Sequence, residues 1–201
     1  MIKAITFDLD GVYFVNGKSN FIKNLGELGV SEAEAKRVFL QSDEMNFQYK
    51  MGKMTDEEFW SWALKEWKLS LSVTEIVELL IKGYEVDENV VEVVKKVRAL
   101  GYKTLVCTNN FPARMQGLHK RFGFLDNFDV AVVSCEEGCI KPQKELFQAL
   151  IQKSGVAAHE IFIADDYEAA LETAKSLGIE TLYYTDFAGF LARLRELGVV
   201  V

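Results

Sequence analysis

Cysteine is scarce in this chain of 201 residues. Its three thiols, Cys107, Cys135 and Cys139, are too few and odd in number for a disulfide framework, which agrees with a reducing compartment. No apolar run approaches the roughly 18–20 residues that span a bilayer. The first residues, Met1-Ile2-Lys3-Ala4-Ile5, lack the charged segment, long apolar stretch and small-residue cleavage site of a signal peptide. These absences predict a cytoplasmic protein with no membrane partner. Basic residues are in deficit, 23 Lys and Arg against 30 Asp and Glu, for a formal net charge of -7. Without an excess of clustered cations the chain is not expected to bind nucleic acid, and an anionic substrate would need a cation inside its site. The two histidines, His119 and His159, have no second ligand at metal spacing and read as surface or capping residues. Cys135 and Cys139 likewise lack the partners of a zinc set. Pro-rich and Gly/Ser-rich linkers, internal repeats and low-complexity tracts are missing too.

What is present is an ordinary globular composition, 49% hydrophobic and 26% charged, enough to bury a real core. The length suits one domain, or one domain carrying an inserted subdomain. Short, nearly continuous apolar runs read as strands: Ile2 to Phe7, Lys103 to Cys107, Val130 to Val133, Ile161 to Ala164 and Thr181 to Tyr184. Between them lie helical periods such as Val90, Val94, Val97 and Leu100, or Ala170, Leu171, Ala174 and Leu177. The alternation predicts a parallel sheet covered on both faces.

Residues 18–84 break the pattern. This stretch has no convincing strand but carries three helix-start signatures, Ser31 with Glu34, Thr55 with Glu58, and Ser72 with Glu75. Phe59, Trp60, Ala63, Leu64 and Trp67 form one helical face. A helical subdomain is therefore expected at 18–84, inserted into a core made of 1–17 and 85–201.

Polar groups gather where strands end. Asp8-Leu9-Asp10-Gly11 follows the first strand, and residues two apart in extended chain point the same way. Alone, such a run is also what a plain turn looks like. Thr108-Asn109-Asn110 follows the second strand, Lys141-Pro142 begins the helix after the third, and Asp165-Asp166 follows the fourth. Ligands of open α/β sheets bind at those ends, so the four groups are read together.

In order and spacing these motifs resemble the haloacid dehalogenase-like (HAD) superfamily of hydrolases: Phe7 to Val12, Thr108-Asn109, Ile140-Lys141-Pro142 and Asp165-Asp166. The resemblance implies a Rossmann-like α/β core with a small helical cap hinged over the site. It also implies a Mg²⁺-dependent phosphatase acting on a small phosphorylated metabolite such as a sugar phosphate; a dehalogenase, a phosphomutase or a non-catalytic binding protein on the same scaffold are the alternatives. Asp8 would be the nucleophile and Asp10 the acid and base. Thr108 and Lys141 would hold the phosphoryl oxygens with Asn109 close by, and Mg²⁺ would sit on Asp8, the Asp10 carbonyl and one of Asp166 and Asp165, with Asp166 favoured. The family often has a second acidic or Asn residue where Ala170 stands, which implies a thinner metal shell. Substrate choice would fall to Tyr13 and Phe14, as a flap beside the entrance, and to Phe47 and Lys50, just before a break in the cap that faces the core. A monomer or homodimer is expected.

Overall fold

The computed structural model describes residues 1–200. Strand β1 (Ala4–Phe7) runs into a tight turn and a two-residue strand, β2 (Phe14–Val15). Four helices follow: α1 (Gly17–Glu27), α2 (Glu32–Lys36), α3 (Asp56–Trp67) and α4 (Val73–Lys82), with helical turns over Arg37–Gln41 and Glu44–Tyr49 between α2 and α3. The chain returns through β3 (Glu85–Val86), antiparallel to β2, so the helical insert stands on a small two-stranded stem. The sequence gives no hint of that stem, because two residues are too short to show a period.

The rest alternates: α5 (Glu88–Ala99), β4 (Lys103–Thr108), α6 (Pro112–Phe122), β5 (Val130–Val133), the single turn α7 (Ser134–Glu137), α8 (Lys144–Ser154), β6 (Ile161–Asp165), α9 (Glu168–Ser176), β7 (Glu180–Tyr183) and α10 (Phe187–Glu196). Five strands form one parallel sheet in the order β5-β4-β1-β6-β7. Each expected strand is present within two residues of its expected ends. The apolar runs are continuous because both sheet faces are covered. Ile5, Phe7, Val106 and Phe162 pack with Val90, Val94 and Phe190 of α5 and α10, while Ala4, Leu105, Cys107 and Ile163 pack with Leu146, Leu150 and Ala174 of α8 and α9. The strand order reverses between β1 and β6, which opens a crevice at their carboxyl ends.

Inside the insert, Phe21, Phe39, Trp60 and Trp67 meet edge to face around a common centre, and the Trp60 indole donates to the Tyr49 hydroxyl. Thr55 with Glu58 and Ser72 with Glu75 are complete capping boxes. Ser31 is only half of one: it accepts from the Glu34 amide, but the Glu34 carboxylate turns to Arg37 instead. The insert meets the core at the break between Lys50 and Thr55. Gly52 has φ +68° and a Cβ there would overlap the Cys135 carbonyl. Asp56 Oδ1 accepts from the Ala113 amide at the start of α6 at 3.0 Å and from the Tyr49 hydroxyl at 2.5 Å. Among the described residues no helix is long and apolar enough to cross a membrane.

Candidate active site

The crevice holds a buried ion triad. Asp8 leaves β1 and Asp165 ends β6, its neighbour in the sheet, so two carboxylates emerge side by side. Lys141 lies between them, donating to Asp8 Oδ1 at 2.8 Å and to Asp165 Oδ2 at 2.5 Å. All three are buried. Burial works against the Lys141 charge, but the two carboxylates outweigh it and hold the ammonium above its ordinary range. Asp165 is raised as well, by burial and then by the Asp8 charge. Its second oxygen accepts from the Tyr167 amide at 2.9 Å.

Lys141 does not begin a helix. Helix α8 starts at Lys144, and the cis Lys141–Pro142 bond lies in the preceding turn. Two bonds pin that turn: the Lys141 amide donates to Asn109 Oδ1 at 2.7 Å, and Asn109 Nδ2 donates to the Lys141 carbonyl at 3.1 Å. The Asn109 side chain is thus committed to positioning Lys141, and any contact it makes with a ligand falls to its backbone. Thr108 ends β4, buried beside it.

Asp10 lies two residues beyond Asp8 and is gripped by two cations that spacing could not reveal. Arg114 Nη2 reaches Asp10 Oδ2 at 2.9 Å, and Lys18 Nζ reaches the same oxygen at 3.2 Å. Burial pushes the Asp10 carboxyl up, yet Arg114, Lys18 and Lys50 together hold it at about 2. Gly11 is required next to it: φ is +85°, and a Cβ would run into the Asp166 carboxylate.

Lys50 reaches the same cavity from the insert. Its ammonium donates to Asn46 Oδ1 at 2.9 Å and forms no ion pair among the described residues. Burial, and after it the Arg114 and Lys18 charges, lower it to about 7. Its carbonyl accepts from Ser134 Oγ at 2.6 Å, and Ser134 in turn accepts from the Asn110 amide at 2.9 Å, which ties insert, β4 loop and β5 end together. The resulting cavity, about 190 Å³, is lined by Asp8, Asp10, Lys18, Lys50, Thr108, Asn109, Lys141, Asp165, Asp166 and Tyr167.

Three of the specificity candidates lie outside the cavity lined by Asp8 and Lys141. Tyr13 and Phe14 are no flap: the amides of both fold back to the Leu9 carbonyl, which turns their rings inward against Phe124. Both are fully buried, and the Tyr13 hydroxyl accepts from Asn127. Phe47 is 51% exposed and outside the cavity, because its helical turn faces the insert core with Met45 and Tyr49 instead. Ala170 is enclosed in the apolar layer between sheet and α9, so its identity says little about the metal shell. His119 is half-buried with its ring edge-on to Phe124, not a surface residue.

Asp8, Asp165 and Asp166 each offer a carboxylate oxygen, and these lie within 4.8 Å of one another. Three hard oxygen donors at that separation fit a small divalent cation; burial and then the Asp8 charge raise both Asp165 and Asp166, and a cation's charge would relieve the second of these. Asp165 already spends one oxygen on Lys141 and the other on a backbone amide, which leaves Asp166 the freer ligand.

A family model for haloacid dehalogenase-like hydrolases matches residues 2–178. Mouse acyl-CoA dehydrogenase family member 10 is 38% identical over 93 residues, 45% of this chain, and the chain spans only 8% of that protein's length. A HAD family enzyme from Bacteroides thetaiotaomicron, solved with magnesium and inorganic phosphate, superposes with a TM-score of 0.80 at 26% identity, covering 94% of this chain and 96% of that one. L-2-haloacid dehalogenase from Xanthobacter autotrophicus shares the fold at 18% identity and a TM-score of 0.68, over all of this chain and 85% of its own.

Proposed function

The chain belongs to the haloacid dehalogenase-like hydrolases, and on that footing we propose that it is a Mg²⁺-dependent phosphatase of a small phosphorylated metabolite, with the helical insert as its cap. The observation that carries this reading is the pair Asp8 and Asp10 at one strand end, one carboxylate on Lys141 and the other on Arg114. A hydrolase that displaced halide would have no use for a leaving-group acid, because halide leaves without a proton.

Asp8 attacks phosphorus, the ester P–O bond breaks, and an aspartyl-phosphate forms. Asp10 protonates the leaving alkoxide, then takes a proton from the water that hydrolyses the intermediate. In the free protein its neighbours keep Asp10 ionised, the form the second step needs; the charge of an arriving phosphate dianion raises its proton affinity for the first. Lys141 and Thr108 hold phosphoryl oxygens, with Lys141 kept cationic by its two partners. Held by Asp8, Asp166 and the Asp10 carbonyl, Mg²⁺ when bound would screen the approach of one anion to another. Lys50, lacking a carboxylate partner, takes its counter-ion from the substrate. The Bacteroides thetaiotaomicron enzyme's magnesium and phosphate support the same ligand pair here.

A panel of sugar phosphates, phosphoglycolate, nucleotides and an aryl phosphate, with and without Mg²⁺, tests the proposal. Metal-dependent phosphate release that disappears in Asp8→Asn supports it. Metal-independent halide release from 2-haloacids would make the protein a dehalogenase, a requirement for a sugar bisphosphate would make it a mutase, and no turnover with any of these would point to a binding protein.

A further inference from the structure

Among the described residues Arg114 is the most completely enclosed cation, 1% exposed, and no local sequence signal announces it. A guanidinium removed from water is tolerated only when its donors are met. Here each edge of the planar fork has a partner. Nε donates to Asn110 Oδ1 at 2.5 Å, Nη1 to the Tyr84 hydroxyl at 2.8 Å, and Nη2 to the Asn109 carbonyl at 3.1 Å and to Asp10 Oδ2 at 2.9 Å. The Phe111 ring lies 4.7 Å from the guanidinium carbon and closes the remaining side.

We propose that Arg114 is a positioning residue for the reaction: it fixes the rotation of the Asp10 carboxyl so that Oδ1, not Oδ2, meets the leaving-group oxygen. The inference rests on the phosphatase reading. Lys18 binds the same Oδ2, but its side chain is 44% exposed and flexible, so it cannot set a rotation. Arg114 can, because its other bonds run to elements that are themselves fixed. Asn109 and Asn110 follow Thr108 directly on the β4 loop. Tyr84 heads the strand by which the insert returns, and its ring fills the space where Gly17, at the insert's departure, has no side chain. One guanidinium therefore references Asp10 to the phosphoryl-holding loop and to the stem of the insert. Lysine could keep the charge but not this geometry.

The test is kcat/KM with saturating Mg²⁺ over esters whose leaving groups run from p-nitrophenol to a simple alcohol. This parameter reports the step in which Asp10 gives its proton, and only poor leaving groups need that proton. In Arg114→Lys we expect alkyl esters to lose about 10²-fold, the lower end of what acid–base catalysis contributes, and the nitrophenyl ester to lose far less. Tyr84→Phe removes one bond of the fork and should shift the same selectivity by about 3-fold; it decides the matter if Arg114→Lys does not fold, as checked by thermal unfolding. Equal losses on all esters, which a merely structural role would give, or no loss on any, overturn the assignment. If the wild type hydrolyses no phosphate ester in Mg²⁺, the phosphatase reading fails and takes this inference with it.

Discussion

Replacing Lys50 by methionine should make the protein more stable while impairing substrate binding. The ammonium is lowered from an ordinary 10.5 to about 7, because burial and two neighbouring cations disfavour its charge. At 1.36 kcal/mol per pKa unit, that difference corresponds to a ceiling of about 5 kcal/mol. Water entering the cavity mouth screens part of it, and we expect about 2 kcal/mol in practice. The sign follows from proton counts. Below pH 7 Lys50 is charged in both folded and unfolded chains and the full cost is present; between pH 7 and 10.5 the unfolded chain binds the extra proton, so folding stability rises with pH. Lys50→Met lacks this rise. Urea unfolding of both proteins in EDTA, without phosphate, should therefore show the variant ahead at pH 6 and the gap closing towards pH 9.5. Kinetically, the wild-type KM should climb above pH 7 as Lys50 loses its proton, while the variant starts high and stays flat. Unfolding curves that remain parallel from pH 6 to 9.5 would refute the reasoning, since they would mean that the lysine keeps an ordinary proton affinity.

Asp8→Asn should abolish turnover with the fold intact by circular dichroism, and Asp10→Asn should reduce kcat by about 10²–10⁴-fold on alkyl phosphates. Asp166→Asn should raise the Mg²⁺ concentration for half-maximal activity more than Asp165→Asn, whose main loss should be in kcat because it frees Lys141; the opposite ranking in a metal titration would exchange their roles. Gly52→Ala should lower stability by about 1–3 kcal/mol in thermal or urea unfolding, because the new methyl group meets the Cys135 carbonyl at a positive φ.

The groups at the strand ends were legible because a parallel sheet brings its carboxyl ends together whatever the intervening loops do. Asp8, Thr108, Lys141 and Asp165 each end or follow a strand that betrays itself by its apolar run, and the crevice assembles from local signals. Arg114 was not legible: it lies 104 positions after Asp10, within a helix whose periodicity predicts only which side is buried. Lys18 and Tyr84 reach the site through the stem of the insert, which left no pattern. Tyr13 and Phe14 misled for a different reason. A turn that begins at a catalytic loop can lead outward or fold under it, and the choice is made by the Leu9 carbonyl, a backbone group that side-chain pattern cannot report.

The carboxylate that Asp56 lends to α6 makes the insert a thermodynamic partner of a helix it does not belong to. Pro112 has no amide, so Ala113 presents the first N–H of α6, and its acceptor comes from across the divide. An insert that swung away would strip that amide of its acceptor, at a cost of about 1 kcal/mol, the usual worth of a helix cap. At ambient temperature this alone biases the population about fivefold towards the docked arrangement. Amide exchange at Ala113 would then serve as a clock for undocking, recorded in a helix that itself stays folded.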